Sequence, residues 1–367
     1  MMKIANTDLF TLVLISSLLL TGCFDEIAFD GSEDQLENLV VQGELALGSP
    51  SVVTVSVTQI SAFEGAEIPT PVAVSSVVLA DQLENTIDLI PATDPGRFYL
   101  EIPEDHPTFQ VQEGSAYQIR VMLESGTRYE SDLEPLLAVP TPESINMAIV
   151  EREEVNEFGA NEIFSYLRFF VNTPLTSSDN TQKSFLRWEL EGCYRFIETV
   201  VVQAPIPSAR TCYFKEQLNL DKVKVFNGQA SSSETLTGYQ ILETELDSRF
   251  SRGYYLTVYQ QSLSETAYEY WDKVSQVVER TGSIFEPKPG KILGNISNPE
   301  APEEEVFGYF YTSAQDTIRL YISPEDVNNP SPPCPATNEG QDAIDDICFD
   351  CLLRPNSTLV KPEYWEN

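Results

Sequence analysis

From Leu39 onward, apolar and polar positions alternate with a period of two. Ser51-Val52-Val53-Thr54-Val55-Ser56-Val57-Thr58 sets Val53, Val55 and Val57 on one face and hydroxyl side chains on the other. A β-branched run of that kind predicts a half-buried strand. The same pattern recurs at 39–43, 74–79, 86–90, 97–101, 117–123 and 128–132, with turn residues between the runs (Asp94-Pro95-Gly96, Glu124-Ser125-Gly126-Thr127). Seven short strands in about 100 residues predict an immunoglobulin-like β-sandwich over 38–140. Glu113-Gly114-Ser115-Ala116-Tyr117 fits a tyrosine corner, in which the Tyr117 hydroxyl ties back to the preceding backbone. Pro140-Thr141-Pro142 stiffens the chain there and removes ladder donors, so the boundary is placed at 140.

The remainder, 141–367, reads as a second β-rich domain. Aromatic-rich alternation predicts strands at 163–171, 184–191, 254–260, 306–310 and 317–322. One segment switches period: Ala267, Tyr270, Trp271, Val274, Val277 and Val278 recur every three or four residues. They predict an amphipathic helix over about 264–281, started by a capping box in Ser262-Leu263-Ser264-Glu265 and stopped at Gly282. The expected fold is mainly β, with one long helix and a Cys-containing C-terminal tail.

The N-terminus breaks the alternation altogether. Leu9 to Leu20 is apolar apart from Thr and Ser, too short to span about 30 Å of hydrocarbon comfortably. Residues 1–22 therefore read as a signal peptide. Leu20-Thr21-Gly22-Cys23 has the form of a bacterial lipobox, which makes Cys23 the lipidated N-terminal residue of the mature chain and gives several acyl chains for stable attachment. The acidic pair in Phe24-Asp25-Glu26 resembles a surface-export signal, and the alternative is a periplasm-facing acidic tether. Residues 23–37 are expected to be that tether.

Charge narrows the function. The chain of 367 residues carries 57 Asp+Glu against 22 Lys+Arg and one His, a formal net charge of −35. Lys3 and Asp8 cancel, so the mature chain keeps all of it. Such a surface repels phosphate backbones and anionic lipid headgroups, which excludes nucleic acid as a partner. The lone His106, in a proline-bounded loop, leaves no material for His-based metal sites. No Gly-x-Ser-x-Gly elbow, phosphate loop, dinucleotide fingerprint or His-Glu-x-x-His is present, so no catalytic residue, cofactor or metal is assigned and the chain is read as non-catalytic. A hydrolase built on two carboxylates leaves no motif and stays as the third reading. Calcium held by Asp342, Asp345, Asp346 and Asp350 is weighed against a solvated acidic loop, because the spacing is not an EF-hand's.

With Cys23 assigned to lipid, Cys193, Cys212, Cys334, Cys348 and Cys351 remain as disulfide candidates in an exported chain. Cys193–Cys212, flanking Pro205 and Pro207, is the preferred hairpin staple, with Cys334 joined to either Cys348 or Cys351 and one thiol left over.

Several landmarks follow one another in a specific order. They are Tyr268-Glu269-Tyr270-Trp271, Pro287-Lys288-Pro289, Leu293-Gly294-Asn295-Ile296, Val306-Phe307-Gly308-Tyr309-Phe310, Cys348-Phe349-Asp350-Cys351 and Lys361-Pro362-Glu363-Tyr364-Trp365. This order resembles the Bacteroidota lipoprotein family known as domain of unknown function 4249, over nearly the whole mature chain. Leu352-Leu353-Arg354 stands where the family pattern is richer in Arg and Gly. The resemblance implies an outer-membrane lipoprotein working beside a TonB-dependent transporter of the SusC type, with no assigned reaction. The expected function is accordingly a ligand-presenting or capping accessory of such a transporter, with an unknown ligand. The alternative is a free-standing surface module binding glycan, peptide or metal.

Overall fold

A computed structural model describes residues 39–59, 70–177, 182–205, 208–218, 222–279, 291–340 and 343–366. The predicted signal peptide, the tether with Cys23, the helix stop at Gly282 and the Pro287–Gly290 turn lie outside these residues.

Among the described residues the protein is mainly β, with several sheets and one α-helix. The longer strands are β1 (Leu39–Leu47), β2 (Ser51–Gln59), β3 (Val74–Asp81), β4 (Arg97–Ile102), β5 (Ala116–Leu123), β6 (Arg128–Ser131), β7 (Ser144–Val155), β8 (Asn161–Pro174), β9 (Phe185–Ile197), β10 (Thr211–Leu218), β11 (Thr235–Glu245), β12 (Tyr254–Leu263) and β13 (Phe310–Ile322). Helix α1 spans Glu265–Val278. An 11-stranded sheet runs β10-β9-β12-β13-β1-β2-β4 through its middle. A six-stranded sheet is centred on β6-β5-β3, and β7-β8-β11 form a three-stranded sheet.

Strand β13 joins the two halves of the large sheet. Residues 310–314 pair parallel to β1, and residues 315–322 pair antiparallel to β12. Two cores lie on either side of this joint. The first buries Val53, Val55 and Val57 of β2 against Val77, Leu79, Ile119 and Val121 of β3 and β5, as the alternation predicts. It is completed by Ile296, Val306, Phe310 and Ala314, contributed from beyond α1 rather than from 38–140. The second core packs Leu167, Phe169 and Val171 of β8 against Trp188, Leu190, Leu256 and Val258 of β9 and β12. The tyrosine corner is formed: the Tyr117 hydroxyl accepts from Gln112 N at 2.8 Å and donates to Gln110 O at 3.2 Å.

Three local expectations are corrected. The predicted strands at 306–310 and 317–322 are replaced by one strand starting at Phe310. Gly308, with φ +91°, turns the chain before it. The helix cap is Ser264, whose Oγ accepts from Ala267 N at 3.0 Å. Ser262 instead donates to Leu137 O, and Ala267 cannot reciprocate as Glu would in a capping box. Finally, β7, β10 and β11 were not expected from the alternation.

Candidate functional site

Beside the second core, three separate stretches of chain enclose a cavity of about 230 Å³. Strand β9 supplies Tyr194, Arg195, Phe196 and Ile197, a 3₁₀ turn at Ser248–Arg252 supplies Arg249 and Arg252, and the C-terminal tail supplies Pro332, Pro333, Asp345, Ile347 and Arg354. Four arginines thus line one hollow of a chain that has only 22 cations in all.

Their environments differ. The turn forms because Asp247 caps it, accepting from Arg249 N at 2.8 Å. The Arg249 guanidinium is then spent on Asp247 (2.9 Å), Glu216 (2.8 Å) and Thr244 Oγ1 (3.0 Å). Burial works against its charge, yet those carboxylates hold it firmly protonated. Arg195 Nε donates to the Arg252 carbonyl at 3.0 Å, pinning the turn to β9. Arg354 lies over the rings of Phe214 and Tyr194, 5.3 and 5.8 Å from their centroids. Among the described residues neither Arg252 nor Arg354 forms an ion pair. Asp345 is the one acid on the wall, and it caps a tail turn by accepting from Ile347 N at 3.2 Å. Tyr194 is almost fully buried and its hydroxyl has no hydrogen-bond partner among the described residues. Burial pushes that hydroxyl up to about 12, so it stays neutral.

The tail is held in place by the cysteines. Cys212 pairs with Cys351 and Cys334 with Cys348, leaving Cys193 as the buried free thiol. The expected Cys193–Cys212 staple is corrected by strand geometry. Cys212 lies opposite Phe196 and Cys193 opposite Lys215, an offset of three residues. An odd offset puts the two side chains on opposite faces of the sheet. Cys212 joins the second core with Phe196 and Phe214, while Cys193 packs with Tyr213, Tyr255 and Trp365 on the other face. Burial raises the Cys193 thiol above its ordinary value. Glu198 adds a polar clasp between hairpin and tail: it takes Arg210 and Cys351 N (2.9 Å). Burial disfavours its charge, but Arg210 and the backbone donors outweigh that and hold the carboxyl below the usual range.

Two buried acids sit elsewhere. Glu134 accepts from Ser264 Oγ (2.6 Å), Thr266 Oγ1 (3.3 Å), Asn295 Nδ2 (3.2 Å) and Tyr309. Glu44 accepts from Gln261 Nε2 (3.0 Å) and Ser313 Oγ (2.9 Å). It lies near Arg187, which stacks 4.2 Å over the Trp271 ring. Burial raises both carboxyls above the ordinary range. Each is saturated by protein donors at a joint between elements, and neither lines the arginine cavity. A wider depression of about 580 Å³ at the sandwich end carries Glu104 and Glu113 and no cation.

The other expected features have structural roles. Tyr309 stacks on Tyr270, and Trp365 packs edge-on against Tyr255 and Tyr213. Among the described residues most aromatics are thus inside the molecule, and Phe158 is the most exposed of them. His106 Nδ1 accepts from Phe109 N at 3.1 Å within its loop. Asp350 takes Arg210 at 2.7 Å and, like Asp345, caps a short turn. Asp342 lies outside the described residues. Among those residues no group of three His, Cys, Asp or Glu is placed to hold a metal ion, and no helix is long and apolar enough to cross a membrane.

Two of the landmark sequences, 293–296 and 306–310, meet in space. Asn295 Oδ1 accepts from Phe310 N and Asn295 Nδ2 donates to Phe310 O, at 2.9 and 2.8 Å. Gly294 packs against the Gly308 carbonyl so closely that a Cβ would overlap it. Asn295 also reaches Glu134, which holds the cap of α1. The signal for Glu134 in the sequence was a lone acid inside Leu133-Glu134-Pro135-Leu136-Leu137. The arginine cavity has no such local signal, because its walls come from positions 194 to 354.

No curated protein matches the chain significantly. The sequence model of the family described as Domain of unknown function (DUF4249) matches residues 25–319. That span includes the first core, most strands of the second, the α1 helix and the Gly294–Gly308 contact, and the chain is a member of this family.

Proposed function

We propose that the protein is a non-catalytic lipoprotein of the outer membrane, anchored through Cys23, that presents ligand to a TonB-dependent transporter of the SusC type or caps it. The observation that carries this reading is the lipobox Leu20-Thr21-Gly22-Cys23 followed at once by an acidic pair. The first described strand starts at Leu39, so the intervening residues span up to about 50 Å when extended. That reach lets the folded body stand off the membrane and meet a partner's outer face. The buried carboxylates support the non-catalytic side of the reading, since Glu134 and Glu44 spend their oxygens on packing joints. A catalytic pair needs a cleft and split protonation states at a site substrate can enter.

The test is recovery of the tagged chain from its native membranes in mild detergent. A β-barrel transporter is expected to accompany it. Repeated recovery with no β-barrel partner overturns the reading. The arginine cavity favours the second reading, a free-standing binding module. Burial of most aromatics speaks against a stacking platform for glycan.

A further inference from the structure

We propose that the cavity between β9, the Ser248–Arg252 turn and the disulfide-bonded tail binds a small multivalent oxyanion, a carboxylate- or phosphate-bearing molecule, through Arg252 and Arg354. This does not depend on a transporter being the partner.

The case begins with charge. A chain at −35 repels anions, and its cations mostly face nearby acids, as in Arg152–Glu243 and Arg210–Glu198. In the cavity wall this pairing stops. Arg249 is neutralised by Asp247 and Glu216, whereas Arg252 and Arg354 have no carboxylate partner among the described residues. Arg252 and Arg354 line the same hollow, where Asp345 is the one acid, and an anion there would be attracted by both guanidinium groups. Their planar forks match carboxylate and phosphate oxygens two bonds at a time.

The site is also built rather than incidental. Arg354 is set by the rings of Phe214 and Tyr194, and those two rings are stacked 5.2 Å apart. The Arg252 backbone is fixed by Arg195. The tail that brings Arg354 is closed by Cys212–Cys351, with Arg354 three residues beyond the disulfide. Tyr194 of the same wall has a buried hydroxyl without a hydrogen-bond partner among the described residues, a polar group that packing alone leaves unsatisfied. Size selects the ligand. About 230 Å³ is below the range of drug-sized pockets, so the occupant is a small acid or the acidic end of a larger molecule. Repulsion from distant acids is screened beyond about 8 Å at physiological salt, and locally the four arginines of the wall outnumber Asp345 and the two carboxylates on Arg249.

The experiment uses the full lipoprotein purified in non-ionic detergent. Citrate and inorganic phosphate are titrated calorimetrically at constant ionic strength, with chloride as the reference anion. Saturable binding of one or both is expected. Tighter citrate identifies a carboxylate ligand, and tighter phosphate a phosphate-bearing one. Arg252→Gln combined with Arg354→Gln is expected to weaken binding at least tenfold, with the thermal midpoint of the ligand-free protein unchanged. Arg354→Lys keeps charge and loses the fork, and is expected to weaken binding by a smaller factor. If neither anion binds the unaltered protein saturably below about 10 mM, or if the Lys and Gln variants bind as tightly as it does, the proposal is overturned.

Discussion

Gly294 bears a hydrogen where any side chain would collide with the main chain. A Cβ there would lie 1.4 Å from the Gly308 carbonyl oxygen, and one on Gly308 would lie 2.1 Å from the Val41 carbonyl oxygen. Backbone cannot rotate aside as a side chain can, so Gly294→Ala is expected to cost about 4 kcal/mol or more in urea unfolding, or to abolish folding. Glu134 gives a pH-dependent test. Burial raises its folded-state value above the ordinary 4.5, so folding favours the protonated acid. Its contribution is therefore fullest below about 4.5 and falls as pH rises through the folded value. Glu134→Gln keeps the shape and cannot ionise. The stability difference between the native protein and this variant should move in the variant's favour from about pH 4 to pH 8, and a pH-independent difference would refute the assignment. At this scale the sequence was half legible. Tyr117 was readable because its partners lie seven residues away or fewer. Glu134 was not, because Ser264, Asn295 and Tyr309 lie more than a hundred residues away.

Elements were legible where one face is buried and the other wet. Strand β2 buries every second residue, and its alternation predicts it directly. Strand β7 holds Val150-Glu151-Arg152-Glu153-Glu154 at the edge of the small sheet, where charges discourage pairing with other chains and mask the alternation. Strand β11 is half-buried along much of its length, buries only Ile241 fully and shifts register against β8, so its pattern is faint as well. Helix α1 was legible from its period, and Ala267 and Trp271 are its buried stripe. The disulfides bind the tail to these elements with unequal reach. Cys212–Cys351 closes a separation of 139 residues and Cys334–Cys348 one of 14. By chain entropy the first contributes about 5 kcal/mol and the second about 3 kcal/mol. Cys212→Ala/Cys351→Ala is therefore expected to lower the unfolding midpoint more than Cys334→Ala/Cys348→Ala. Equal losses in denaturant titrations would contradict that order.

For the whole molecule, the charge of −35 acts as self-repulsion spread over the sheets and loops. Raising sodium chloride from about 0.02 to 0.5 M should screen it and raise Tm by a few degrees, checked by scanning calorimetry. A falling Tm would show that attractive pairs such as Arg152–Glu243 outweigh the repulsion. The mainly β architecture with its helix was legible in outline. The joint at β13 was not, since one strand serves β1 with its first residues and β12 with its last. The arginine cavity was equally hidden, being assembled from four arginines scattered along the chain between positions 195 and 354. The proposed membrane attachment rests on Cys23, and one measurement addresses that directly. Intact-mass and N-terminal peptide mass spectrometry of the protein from its native membranes should find a mature chain beginning at Cys23 and carrying a diacylglycerol thioether and an N-acyl chain. A chain that retains residues 1–22, or that begins at an unmodified residue other than Cys23, would contradict the anchored-lipoprotein account.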